Sequence, residues 1–223
     1  MKTTVTDMFG NEFPIFAFSH CRDVVAAVTK AGGVGVLGAV AHSPEALEVD
    51  VAWIEEEVGD LPFGVDLIVP AAYEGSAAGG LSMGSIRNML PPEHVEFVDD
   101  ILRRYDVPDL VDDESGRGFG GGADDDAAPM SADSQAPNLE IALAHRSAII
   151  VHALGPPPAH LIDRGTEPGR KVGALAGQPQ HAERHVNAGA DVIIAHGSEA
   201  GGHTGEIGTM VLSPEIVDAV GDT

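Results

Sequence analysis

Short, mostly apolar runs alternate along this chain with longer stretches that carry helix-start and helix-stop residues, a rhythm that few architectures satisfy. Glu12–Phe18, Val34–Ala39, Phe63–Val69, Ser147–His152, Lys171–Ala176 and Asp191–Ala195 each read as a strand. Apolar side chains on both faces of such runs are the mark of parallel strands covered by helices. Between them lie helix patterns. Asp23–Ala31 is closed by Gly32-Gly33, and Ser43-Pro44-Glu45 opens a helix to Val58 with a cap, an N1 proline and an early acid. Further helices are expected from Pro91 to Tyr105, Ala159 to Arg164, Pro179 to Ala188 and Pro214 to Val220. Ser19 is placed to cap the first of the helices.

Six strand–helix units in series allow a (β/α) barrel or a doubly wound sheet. Polar residues follow several of the strands instead of gathering at one crevice, which favours the barrel. A closed barrel needs eight strands. The chain supplies six and ends at Gly221-Asp222-Thr223, where a seventh should begin. The expected fold is therefore α/β, an incomplete (β/α)8 TIM barrel forming a single domain over 1–223. Two stretches break the rhythm. Residues 71–90 are rich in Gly, Ser and Ala; residues 112–137 hold Gly120-Gly121-Gly122 and Asp124-Asp125-Asp126. The second cannot bury enough apolar area to offset its ordering entropy, so 112–137 is expected to be a mobile insert.

Charge narrows the function classes. There are 35 acidic and 12 basic residues, a formal net charge of −23, and the only lysines are Lys2, Lys30 and Lys171. Binding to a nucleic-acid backbone needs the opposite balance and is excluded. Acids spread along the whole chain suit a protein that works at high salt, where screening suppresses self-repulsion. The melting temperature is expected to rise from dilute buffer to molar potassium chloride; a flat or falling trend would refute the halophilic reading. No apolar run approaches the roughly 20 residues of a membrane helix. The start of the chain has no apolar signal segment, and the single Cys21 excludes an internal disulfide. A cytoplasmic protein with no membrane partner is expected.

The chemistry-bearing stretch is Ala195-His196-Gly197-Ser198-Glu199-Ala200-Gly201-Gly202-His203-Thr204-Gly205, directly after the last strand. Ligands of parallel α/β folds bind at the carboxyl ends of strands. Glycines there let successive N–H groups form a nest for an anion such as phosphate. His196 and His203 lack the i, i+4 spacing and the acidic partner of a zinc helix, so no metal site is expected. His152 ends the fourth strand, at a carboxyl end of the same kind.

Five motifs occur in order: Pro14-Ile15, Ala31-Gly32-Gly33-Val34-Gly35-Val36-Leu37-Gly38, Pro62-Phe63-Gly64-Val65-Asp66-Leu67, His152-Ala153-Leu154-Gly155-Pro156-Pro157 and the glycine stretch 197–205. Together they resemble the nitronate monooxygenase family, also called 2-nitropropane dioxygenase, over most of the chain outside 71–145. The resemblance implies a TIM barrel that binds FMN and oxidises alkyl nitronates or nitroalkanes with dioxygen. Some relatives are NAD(P)H-dependent reductases of quinones or enoyl thioesters. By the same resemblance, Ala17, Phe18 and Ser19 form the first-strand turn that packs on the flavin. The family often carries Gln-Ala-Gly-Met or Gln-Ala-Pro-Met there, so the side-chain chemistry differs. Asp66 matches a flavin contact that is often Asn. A carboxylate there can accept from the flavin N3–H but cannot donate, and it disfavours the negative charge of reduced flavin. His152 matches the catalytic histidine, His196 a flavin-facing position that is often Gln, and Gly201 and Gly202 backbone contacts to the phosphate. The rest of the phosphate site would come from loops after strands seven and eight. A homo-oligomer, a non-catalytic barrel fragment and a phosphate-binding barrel enzyme without flavin stay open as alternatives.

Overall fold

Six parallel strands, hydrogen-bonded in chain order, form one sheet in the computed structural model, which describes residues 1–68, 88–108, 132–167, 169–202 and 204–221. The strands are β1 (Phe16–Ser19), β2 (Val34–Gly38), β3 (Gly64–Leu67), β4 (Ile149–His152), β5 (Lys171–Ala176) and β6 (Val192–Ala195). Between and around them lie α1 (Thr4–Phe9), α2 (Arg22–Lys30), α3 (Pro44–Val58), α4 (Pro92–Arg104), α5 (Ala132–Ala144), α6 (Ala159–Gly165), α7 (Pro179–Ala188) and α8 (Thr209–Val220). This is the incomplete (β/α) barrel expected, with β1 and β6 as the sheet edges. Among the described residues no helix is long and apolar enough to cross a membrane.

Strand alternation divides the core in two, because successive side chains point to opposite faces. Leu37, Val65, Leu67 and Ile150 point outward and pack against Leu47, Val51 and Ile54 of α3 and Leu139 and Ala142 of α5. Val34, Val36, Ile149 and Val151 point the other way, into the concave side, with Leu175, Val192 and Ile194 beside them. Each fully buried Leu, Ile or Val contributes roughly 1.5–3 kcal/mol. The register keeps the two sets apart: Val36 pairs with Gly64 and Gly64 with Ile149 on one face, Leu37 with Val65 and Val65 with Ile150 on the other.

Local chemistry accounts for most element ends. Ser43 Oγ accepts from the Ala46 N–H and Pro44 opens α3, as expected. A capping box of Thr3 and Thr6 starts α1, which the apolar pattern did not reveal. Its Phe9 meets Phe16 edge-on at 5.3 Å and plugs the amino end of the concave side.

Four boundaries depart from the sequence reading. β1 begins at Phe16 and not Glu12, because Glu12 and Phe13 both donate their N–H to the Gly32 carbonyl and Pro14 has none to give. Ser19 does not cap α2; its Oγ accepts from the Cys21 N–H in the turn before the helix. α8 starts at Thr209, five residues before Pro214, because the Glu199 carboxylate accepts both the Thr209 N–H at 2.8 Å and its hydroxyl at 2.9 Å. α5 begins at Ala132, inside the segment expected to be mobile. Its Leu139 and Ala142 are buried, and Asn138 donates to the carbonyls of Ala39 and His42. The Gly- and Asp-rich stretch before it lies outside the described residues.

A buried carboxylate of the outer layer gathers an arginine and a histidine. Asp50 of α3 is 1% exposed and receives Arg22 Nη1 on one oxygen at 3.0 Å and His42 Nε2 on the other at 3.2 Å. The Arg22 guanidinium also lies 4.6 Å from the centre of the Trp53 ring.

Candidate functional site

At the carboxyl ends of the strands, alternation decides which side chains can meet a ligand on the concave side. Phe18 follows Phe16 by two residues and pairs with Val36, so it faces inward; it is 56% exposed. Asp66 pairs with Gly38 on the same face. On β6 the ladder continues through the His196 N–H to the Ala176 carbonyl, which carries His196 to the face of Val192 and Ile194. The concave side thus brings together Phe18, Asp66 and His196. Ala17 and Ser19 pair with Gly35 and Leu37 and point to the helices instead. Only the backbone of those two residues is available to a ligand on the inner side.

His152 also departs from the role its motif implies. It follows Ile150 by two residues and pairs with Leu67 and Ala174, all on the helix-facing side. It is 0% exposed, and its Nδ1–H donates to the Gly155 carbonyl at 3.1 Å, holding the turn that ends β4. His185 of α7 lies buried in the same layer and donates from Nε2 to the Leu175 carbonyl. Burial lowers its pKa, and the nearby His181, His152 and Arg184 push the same way against the Leu175 bond. The inward-facing residue at the end of β4 is Ala153, whose N–H continues the ladder to the Leu67 carbonyl. A one-residue offset along a strand moves a side chain to the opposite face, so the motif located the strand end and not the inward side chain.

Asp66 has no hydrogen bond or ion pair among the described residues, and burial alone pushes its carboxyl up to about 7. This changes one expectation. Near neutral pH a large share of Asp66 carries its proton, so it can donate as well as accept, as Asn would.

His20, which the sequence reading passed over, belongs to the same face. It continues the 16-18-20 alternation just beyond β1, and its ring meets Phe18 edge-on at 5.0 Å. Nδ1 lies 3.0 Å from the Gly38 carbonyl. Gly38 makes room for both rings: a β-carbon there would lie 2.5 Å from Phe18 and 2.7 Å from His20. The signal was present as a polar residue in phase with two inward aromatics; only the alternation reveals it.

The glycine loop leaves β6 under the constraint of Glu199, which is held to Thr209 at the start of α8. Those hydrogen bonds, the Thr209 N–H first, lower the Glu199 pKa. Gly201 and Gly202 are exposed, and nothing lies within 4 Å of the place where a side chain would begin. Gly202 has φ +74°, a conformation that favours glycine. His203 lies outside the described residues.

The family model for nitronate monooxygenase matches residues 2–221. A Mycobacterium tuberculosis protein, Rv1533, named as a monooxygenase without further detail, is 50% identical over 223 residues, which is 100% of this chain and 58% of that protein. A Staphylococcus saprophyticus protein named as a nitronate monooxygenase is 28% identical over 99% of this chain and 59% of its own length. The chain thus spans somewhat over half the length of these curated relatives. Among solved structures, a nitroalkane oxidase from Streptomyces ansochromogenes superposes with a TM-score of 0.65 at 23% identity, covering 98% of this chain and 58% of that one. FabK from Thermotoga maritima gives 0.64 at 24% identity, over 99% of this chain and 52% of that one. At these identities the two structures bear on the fold alone. With its family model matched along nearly its whole length, the chain belongs to the nitronate monooxygenase family.

Proposed function

We propose that this chain supplies the substrate-facing part of an FMN-dependent oxidoreductase that oxidises alkyl nitronates or nitroalkanes with dioxygen. The observation that carries the reading is the meeting, at the carboxyl ends of the strands, of an exposed inward aromatic (Phe18) and a half-buried carboxyl without a partner among the described residues (Asp66). Across the sheet lies a glycine loop with open backbone at Gly201 and Gly202. These residues fit a flat, partly polar ring joined to a phosphate. Phe18 would lie against the ring, with the backbone of Ala17 and Ser19 behind it. Asp66 would hydrogen-bond its polar edge, accepting from an N–H or, when protonated, donating to a carbonyl. His196 would face the ring from β6, and the N–H groups of Gly201 and Gly202 would hold the phosphate. Bound FMN would supply the electron acceptor and pass the electrons on to dioxygen. The protein's own part is to shelter the ring, orient the anionic substrate and move its proton.

The acidic composition supports operation at high salt, and the exposed free thiol of Cys21 is consistent with a cytoplasmic setting. The test is direct. The protein should take up FMN, read from its absorbance bands, and then consume oxygen with propyl nitronate but not with NADH. NADH oxidation without nitronate turnover would move the reading to a quinone or enoyl reductase. Failure to bind FMN at any salt concentration would overturn it for this chain.

A further inference from the structure

We infer that His20 is the general base that removes the α-proton of a neutral nitroalkane; this rests on the nitronate reading above and adds the residue that handles the proton. Nδ1 of His20 lies 3.0 Å from the Gly38 carbonyl oxygen, which can only accept, so Nδ1 carries the hydrogen. In the neutral ring Nε2 then carries the lone pair. Nε2 has no partner among the described residues, and His20 is exposed. The ring is also held in place. Its edge meets Phe18 and its Nδ1 side is tied to β2, in the space that Gly38 leaves by lacking a side chain. An imidazole so oriented, with one nitrogen anchored on backbone and the other without a partner among the described residues, is the arrangement that general base catalysis uses.

Position supports the assignment. The rings of His20 and Phe18 fill the inward space over Gly38, and Asp66 is paired with Gly38 in register on that same face. His152, at the end of β4, is fully buried on the helix-facing side and donates to Gly155. A substrate on the concave side reaches His20 and not His152. The step balances without electron transfer to any acceptor. His20 Nε2 takes the proton from the carbon that bears the nitro group. The C–H pair becomes the C=N bond of the nitronate, and the negative charge settles on the two oxygens. The ring becomes imidazolium beside that anion, its Nδ1–H still on the Gly38 carbonyl.

Because the step consumes neither oxygen nor flavin, it can be read apart from turnover. The experiment is exchange of the α-hydrogens of nitroethane in anaerobic D2O, followed by proton NMR and corrected for buffer. Wild type, His20→Gln, His20→Ala and His152→Gln are compared, with circular dichroism to check folding. Oxygen uptake on pre-formed ethyl nitronate is measured in parallel. His20→Gln is expected to lower protein-dependent exchange by about 10²–10⁴-fold, a far larger loss than any it causes in oxidation of the pre-formed nitronate. Added imidazole is expected to restore exchange to His20→Ala. Exchange at the wild-type rate in His20→Gln, or a loss confined to His152→Gln, overturns the inference. So does a wild type that consumes nitronate yet exchanges nothing, and there the proposed function survives. A wild type that does neither overturns both.

Discussion

Asp50→Ala is expected to lower the unfolding free energy by about 3–5 kcal/mol, the usual cost of breaking a buried ion pair from one side. The physical reason is what the change leaves behind. Arg22 and His42 converge on the two oxygens of a carboxylate that is 1% exposed. Without it, the His42 side chain stays buried in a layer of leucine and valine, and Arg22 keeps its ring contact with Trp53. The cluster ties the first turn of α2 to the middle of α3 and to the loop after β2. Its loss loosens the outer layer behind the strands that carry Phe18 and Gly38. Asp50→Asn, which keeps the shape and one acceptor, is expected to cost less. Urea unfolding of the two variants against wild type checks both values. A loss below about 1 kcal/mol in Asp50→Ala would show the cluster to be screened like a surface pair.

The second large effect depends on pH. Burial raises the Asp66 carboxyl from 3.8 to about 7. Its folded pKa therefore lies above its unfolded one, and the folded state holds the proton more tightly. The stability tied to that proton is complete below about pH 4 and is lost as pH rises through about 7. At roughly 1.4 kcal/mol per pH unit, the ceiling of the loss is about 4 kcal/mol. Asp66→Asn cannot ionise and escapes it. The variant without flavin is expected to match wild type near pH 4 and to be the more stable protein at pH 8. Paired urea melts at the two pH values measure the difference, in which all other titrating groups cancel. A difference that does not change with pH would show Asp66 to be solvated, and would remove its proton from the account of the site.

Much of the architecture was legible because it is written in local chemistry. Val34–Gly38 and Lys171–Ala176 announce buried parallel strands by their composition, and Ser43-Pro44 announces a helix start. Where the reading slipped, the deciding contact came from far along the chain. Gly32 takes the N–H groups that would have lengthened β1. Glu199 draws the start of α8 back to Thr209. Leu139 and Ala142 find the outer core and make a helix of α5 where composition near its start argued for disorder.

The candidate site divides in the same way. Taken in order, the residues establish that the chain is a parallel α/β protein, that its ligands belong at the carboxyl ends of the strands, and that its motifs resemble those of the nitronate monooxygenases. These properties follow from periodicity and from residue types at short spacing. Which side chains at those ends look inward is settled by the folded sheet. His152 and Ala153 are neighbours in sequence, yet the pleat sends the first to the helices and the second to the concave side. His20 becomes part of the site only because Gly38, on the adjacent strand, leaves room for its ring and offers a carbonyl to orient it. The Asp66 carboxyl is raised to about 7 because the folded sheet withdraws much of it from water without offering a partner among the described residues. Face, tautomer and ionisation each depend on groups that the fold, and not the order of residues, brings within reach.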